Sequence, residues 1–264
     1  MPLLYNFLFP PEKSIFITAM CIISPALGAI SAYLEIIGNH MQYSKFGNTG
    51  SQSKKNEIKL SSRSGMLIAY TPAFLAGIFT LAIYSEDGPR FILVDLALTI
   101  HFFKRIFEVL YIHKFSGSMS LDSIIPISLG YFLSAVTTIY GQHLTHTLPE
   151  PPFDLKYVGA ALFLLGIFGN LYHHTILAKL RKKDDKGYKI PKGGLFSSVI
   201  CPHYLFEILG FIGVCLISQT VYPLCNTFST ILYLGARSYV TRKWYLSKFP
   251  DFPKDVKALI PYVF

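Results

Sequence analysis

The polar residues of this chain stand where a lipid-embedded protein has no structural reason to keep them. The C-terminal third reads Gly187-Tyr-Lys-Ile-Pro-Lys-Gly-Gly-Leu-Phe196, then Cys201-Pro-His-Tyr-Leu-Phe-Glu207, then Arg237-Ser-Tyr-Val-Thr-Arg-Lys-Trp-Tyr245. Ionisable groups inside apolar spans are costly and mark functional sites by default. Asn170, His174, Leu177 and Arg181 recur at i, i+4, i+7 and i+11, which places them on one helical face. That ladder descends into a loop rich in Lys and Arg. Cationic side chains, with backbone N–H groups freed at Gly193-Gly194 beside a helix start, suit phosphates. The pattern predicts a large anionic ligand held at a membrane surface. Equally, Asn170 in this pattern serves as an interhelical hydrogen-bonding residue, and Lys179 and Arg181 as cations that snorkel.

Two further groups carry chemistry. His203 and Glu207 stand at i, i+4 in an apolar helix. They suit contacts to a bound amide or ribose, or a buried structural pair. No metal is expected, because no C-x-x-C and no repeated His-rich box accompanies them. His101, Lys104, Arg105 and Glu108 recur at helical spacing. Lys104 and Glu108 neutralise one another in part, and the four together predict a cavity-lining site.

The elements that must position these groups follow from composition. Of 264 residues, 52% are hydrophobic and 15% charged, which is too apolar for an ordinary soluble domain. Stretches of membrane-spanning length recur throughout. We read about seven: Ser14–Ile37, Gly65–Tyr84, Phe91–Ile112, Asp122–Tyr140, Leu155–Leu177, Ser198–Thr220 and Val221–Val240. The expected fold is therefore all-α and polytopic, a single domain over residues 1–264. The first span begins too late and runs too long for a cleaved signal peptide.

The net charge of +9 is distributed over alternate loops. The segments 43–63, 113–121, 179–192 and the tail are basic, whereas 142–154 holds no Lys or Arg. Positive loops face the cytoplasm, so a lumenal N-terminus and a cytosolic C-terminus are expected. Basic residues next to spans, and not on a soluble face, argue against nucleic acid as a partner. Cys21, Cys201, Cys215 and Cys225 fall in predicted spans and read as small apolar residues. Pro250 and Pro253 punctuate a tail expected to lie on the membrane as a short amphipathic segment.

The C-terminal hundred residues resemble the steroid 5α-reductase family, which is related to polyprenol reductases and trans-2-enoyl-CoA reductases. The resemblance rests on Asn170 and Arg181, Tyr188-Lys-Ile-Pro-Lys-Gly-Gly-Leu-Phe196, His203 with Glu207, Arg237, Tyr245 and the closing Lys257-Ala-Leu-Ile-Pro-Tyr-Val-Phe264. Looser matches at Arg63-Ser-Gly, Tyr70-Thr-Pro and His101-Phe-Phe-Lys-Arg105 extend it over most of the chain. The wording is most similar to plant members. The resemblance implies a seven-helix protein of the endoplasmic reticulum membrane, with NADPH as cofactor and a lipophilic enone as substrate. It implies cofactor contacts at Asn170, His174, Arg181, Tyr188, Lys189, His203, Glu207, Arg237 and Tyr245, and hydride transfer to the β-carbon of the enone. A 3-oxo-Δ4-steroid is the leading substrate.

The chain departs from the family pattern at the acid. Animal steroid reductases use a Glu–Tyr pair, and the aligned positions here are Tyr70 and Phe102. Tyr70 then becomes the expected proton donor, supported by Arg105 and with His101 and Phe102 against the substrate. The third span and Cys201-Pro-His-Tyr204 resemble the enoyl-CoA reductases even more closely, and there Tyr204 is the candidate donor. Reduction of a trans-2-enoyl-CoA in very-long-chain fatty-acid elongation is thus the alternative reaction. A membrane methyltransferase is the alternative from another class.

Overall fold

In the computed structural model, residues 6–11, 13–41, 58–115, 117–180 and 187–264 are described. Seven α-helices are present among them: α1 (Ile15–Ile36), α2 (Ser62–Ile83), α3 (Pro89–Phe107), α4 (Leu121–His143), α5 (Lys156–Leu180), α6 (Pro202–Ser218) and α7 (Val221–Lys248). Four of them, α1, α2, α4 and α5, are long and apolar enough to cross a membrane. Their outer faces carry exposed Ile22, Leu27, Leu75, Phe79, Leu129, Leu164 and Phe168. Such a surface is stable only against hydrocarbon. The protein is an all-α, multi-pass membrane protein, as its composition predicts.

The sequence marks the helix ends locally. Ser61 caps α2, its hydroxyl accepting from Ser64 N–H at 3.1 Å, which satisfies one orphan amide of the first turn. Gly88, at φ +95°, turns the chain into α3, whose first residue is Pro89. Pro202 likewise opens α6, and Gln219 ends it in the left-handed region at φ 53°.

Helix α5 packs closely on α6. A Cβ added to Gly166 would lie 2.6 Å from Gly210 Cα, so the backbones meet through small residues, as lipid-embedded helices do. Helix α1 lies against α7. One core of Phe91, Val94, Leu98, Ile139, Phe163 and Val214 joins α3, α4, α5 and α6.

Three features differ from the sequence expectation. The third span does not finish as a regular helix: Glu108–Ile112 forms a π-helical turn, closed by His113 N–H donating to Glu108 O at 2.7 Å. Such turns widen a helix and recur at functional sites. Helix α7 continues through Lys248, beyond the Val240 boundary, because Arg242, Trp244 and Tyr245 find partners inside the protein and not at a membrane surface. The tail does not lie out as an amphipathic segment either. Phe252, Val256, Ala258 and Leu259 are buried, and Ile200 and Cys201 N–H donate to Lys257 O and Ala258 O. A short antiparallel pair, β1 (Lys59–Ser61) with β2 (Ser118–Ser120), ties the starts of α2 and α4 together. Its register places Leu60 opposite Met119.

Candidate active site

Helices α2 and α4 begin, and α3 and α5 end, on one side of the bundle, and that side holds a cavity. Its volume is about 330 Å³, and its lining includes Arg105, His113, Lys114, His174, Tyr188, Lys189, His203, Tyr204 and Tyr245. These residues come from segments up to 140 positions apart in sequence (Arg105 to Tyr245), brought together by the ends of α3, α5, α6 and α7.

Behind the wall lies a buried charge network centred on Glu108, a fully buried residue. Its carboxylate is 3.1 Å from Lys104 Nζ and 3.0 Å from Arg105 Nη1. It also lies 2.9 Å from His174 Nδ1. The i, i+4 pairing expected for Lys104 and Glu108 is present, and Arg105 and His174 extend it. A carboxylate bonded to several donors offsets part of the cost of burying the cations beside it. The π-turn begins at Glu108 itself.

Arg105 serves two sides. Its Nη2 donates to the Tyr70 hydroxyl at 2.5 Å, and its guanidinium lies 4.8 Å from the centre of the Tyr70 ring. Tyr70 is buried in a cluster with Ala73, Phe102, Val109 and Ala135, one layer behind the cavity wall. Phe102 is buried beside it, 5.6 Å from the ring of Tyr131. His101 packs between Phe102 and Phe211, ring centres 5.0 Å away on each side. Its Nε2 is buried with no hydrogen-bond partner among the described residues.

Asn170 joins three helices. It accepts from Lys104 Nζ, and its Nδ2 donates to His203 O at 2.7 Å and to Glu207 Oε2 at 3.3 Å. The interhelical bonding open to it from sequence is therefore realised, and Glu207 sits beside it, not on the cavity surface. The His203 ring lies 4.2 Å from that of Tyr204, tilted by 51°, and 5.3 Å from that of His174, forming an imidazole–phenol wall. Tyr245 Oη donates to Lys189 O at 3.4 Å, and Tyr188 packs edge-on against Trp244 at 5.0 Å. His113, the first residue after the π-turn, is held neutral: burial first, then His174 and Arg105, push its pKa down to about 3.

Two expectations meet a different arrangement. Arg237 is not on the cavity wall: its Nη1 donates to both carboxylate oxygens of Glu35 in α1, at 2.6 and 2.8 Å. Both residues are almost fully buried. The amide beside Gly193-Gly194 is not left for a phosphate, because Leu195 N–H donates to His173 Nε2 at 3.1 Å. A Cβ on Gly194 would lie 2.7 Å from that nitrogen, so the glycine makes room for the imidazole. Arg181 lies outside the described residues.

Sequence reading missed Glu35 and His173. Glu35 was detectable as a lone carboxylate at the end of an apolar span, by the same cost argument that singled out Arg237. His173 offered no such signal, being one of two adjacent histidines with only the neighbour on the polar face.

Residues 125–264, just over half of the chain, match the family described as 3-oxo-5-alpha-steroid 4-dehydrogenase. The chain belongs to that family. It is similar to 3-oxo-5-alpha-steroid 4-dehydrogenase 2 of Homo sapiens, 29% identical over 245 residues, covering 90% of this chain and 93% of the relative. The corresponding protein of Macaca fascicularis is 30% identical over 255 residues, covering 92% and 98%. The very-long-chain enoyl-CoA reductase of Dictyostelium discoideum is 29% identical over 224 residues, covering 83% and 73%. Membership makes the chain an oxidoreductase and sets the methyltransferase alternative aside.

Proposed function

We propose that this protein is an NADPH-dependent reductase of a carbon–carbon double bond conjugated to a carbonyl, with a 3-oxo-Δ4-steroid as substrate and the 5α-product as outcome. The observation that carries the proposal is the hydrogen bond from Arg105, on the cavity wall, to the Tyr70 hydroxyl one layer behind it.

The residues present fit the cofactor. Arg105, Lys114 and Lys189 are cationic, and they line one cavity with Tyr188, Tyr204 and Tyr245. That combination suits a ligand with phosphates and flat rings. Lys114 and Lys189 would hold phosphate, while His174 and His203 would meet ribose or amide groups. When bound, NADPH supplies a hydride to the β-carbon of the enone.

The protein's own part is to stabilise the charge that develops on the enone oxygen. Arg105 donates into the Tyr70 hydroxyl oxygen, so the phenolic hydrogen is left to point elsewhere. Tyr70 would give that proton to the enolate oxygen. Arg105 would stabilise the phenolate that remains, and Glu108 fixes Arg105 from behind. His101, with its unpartnered nitrogen between two phenyl rings, would hold a polar group of an otherwise apolar substrate. The aromatic surroundings of Tyr70 exclude water from the reaction. We place the protein in the endoplasmic reticulum membrane, N-terminus lumenal and C-terminus cytosolic, with the cavity opening toward the cytosol.

One observation favours a second reading. Tyr204 lines the cavity directly, whereas Tyr70 lies one layer back. With Tyr204 as donor, the substrate would be a very-long-chain trans-2-enoyl-CoA. NADPH oxidation by detergent-purified protein separates the two. Turnover with progesterone supports the first reading, and turnover confined to the enoyl-CoA replaces it with the second.

A further inference from the structure

One buried histidine close to the cavity takes no part in the proposed reduction. His173, beside His174 on α5, is buried, and both of its ring nitrogens are engaged. Nδ1 lies 2.7 Å from Gly169 O of its own helix. A carbonyl can only accept, so Nδ1 carries the proton. Nε2 presents its lone pair and accepts Leu195 N–H at 3.1 Å. The two bonds require the neutral ring, because a proton on Nε2 would set donor against donor. We infer, on the reading that NADPH is the cofactor, that His173 is a positioning residue: it clasps the loop 187–197 to α5 and so holds Tyr188 and Lys189 on the cavity wall.

The loop needs such a tie. Gly194–Ser197 is a single 3-10 turn, and the residue before it, Gly193, has no side chain to cap it. The first amides of such a turn are orphans that a cap normally satisfies. His173 supplies the missing acceptor from another helix. The far end of the loop is anchored separately, on α7. Tyr245 Oη donates to Lys189 O at 3.4 Å, and Ile190 packs against the cluster of Ile200, Tyr245 and Phe252. The stretch that lines the cavity, Gly187, Tyr188 and Lys189, is therefore strung between α7 and α5. Gly193 and Gly194, at φ +93° and +54°, bend the chain next to the α5 anchor.

Space for the ring is built into both elements. A Cβ on Gly194 would lie 2.7 Å from His173 Nε2 and 3.0 Å from Tyr172 Cε1. A Cβ on Gly169 would collide with Phe206, whose ring stacks on His173 within 19° of parallel, 5.1 Å away. Tyr172 and Phe196 meet the imidazole edge-on at 5.1 and 5.6 Å. These rings fix the imidazole plane and keep Nε2 aimed at the loop. Nearby ionisable side chains are committed elsewhere: His174 to Glu108 at 2.9 Å, and Glu207 to Asn170 at 3.3 Å.

Two amide replacements separate this role from simple packing. His173→Gln carries an oxygen out to about the position of Nε2, where it can accept Leu195 N–H. His173→Asn stops near Nδ1 and can keep only the bond to Gly169 O. Hydrogen–deuterium exchange is measured on the detergent-purified full chain without cofactor, and NADPH affinity by equilibrium titration. In His173→Asn, peptides from 187–197 should exchange faster than in the parent, while the rest of α5 and α6 keeps its protection. The NADPH Kd should rise by about 3–10-fold, the worth of one neutral hydrogen bond. His173→Gln should match the parent in both measurements. Parent-like exchange in His173→Asn, faster exchange spread evenly over every helix, or a His173→Gln as impaired as His173→Asn would each overturn the inference. So would a loosened loop with unchanged NADPH affinity, since the clasp would then position nothing for the cofactor. A parent that binds no NADPH would instead overturn the cofactor reading, and with it the positioning role, whatever the exchange data show of the clasp.

Discussion

Arg105 donates a 2.5 Å hydrogen bond to the hydroxyl of Tyr70, joining a cavity-wall cation to a phenol sealed in the core. Each is incomplete alone. Among the described residues the phenol oxygen takes its hydrogen bond from Arg105, and the guanidinium balances its charge on Glu108 at 3.0 Å. Glu108, Arg105 and Tyr70 thus form a rigid relay from the π-turn of α3 into α2.

Replacing the phenol tests that relay. Tyr70→Phe keeps the ring and its packing and removes only the hydroxyl. The expected outcome is a kcat lower by about 10²–10⁴-fold, the usual yield of a positioned proton donor, with little change in melting temperature. Steady-state kinetics with the preferred enone checks it. Full activity in Tyr70→Phe together with loss in Tyr204→Phe would assign the proton to Tyr204.

Glu108→Gln should act on stability as well as on rate. It leaves Lys104 and Arg105 buried without their counter-charge, and breaking a buried ion pair from one side costs about 3–5 kcal/mol. Thermal or denaturant unfolding in detergent should register that loss, and a tolerant protein would show that water reaches the network.

Glu35 and Arg237 should behave as one unit. Glu35→Gln and Arg237→Ala should each destabilise the contact between α1 and α7, and the double variant should cost far less than the sum. A selective rise in the NADPH KM with unchanged stability in Arg237→Ala would instead place Arg237 on the cofactor.

The loop at the opposite end carries a pH dependence. Slight burial opposes ionisation of Asp154, but the hydrogen bonds from Lys156, followed by the charge of Arg90, hold its carboxyl below the usual carboxylate range. A depressed folded-state pKa stabilises the fold above the unfolded value near ~3.9 and loses that contribution as pH falls through the folded value. The melting temperatures of parent and Asp154→Asn should therefore differ at neutral pH and converge below about pH 4. A gap that stays constant down to pH 3 would contradict this assignment.

The spans were legible because hydropathy over membrane length is a strong signal, and all seven helix starts lie within four residues of the expected boundaries. The C-terminal limit of α7 was not, since the apolar stretch ends at Val240 and the partners of Arg242 and Trp244 come only from the folded tail and its neighbours. The same cost argument that found Arg237 pointed to a site but could not name Glu35 as its partner. Helical spacing brought Lys104, Arg105 and Glu108 together correctly. It could not show that Tyr70, thirty-five positions upstream of Arg105, is bonded to it, because that contact depends on how α2 packs on α3. Nor could spacing show that Gly194 yields to His173.

The most direct measurement of the central claim is the fate of a labelled hydride. Detergent-purified protein is incubated with progesterone and NADPH deuterated at the transferred position, and the product is examined by mass spectrometry and NMR. The account predicts a 5α-reduced steroid with deuterium at C5, the β-carbon, and a solvent-derived hydrogen at C4. No reduced steroid, or deuterium at any other carbon, would contradict it.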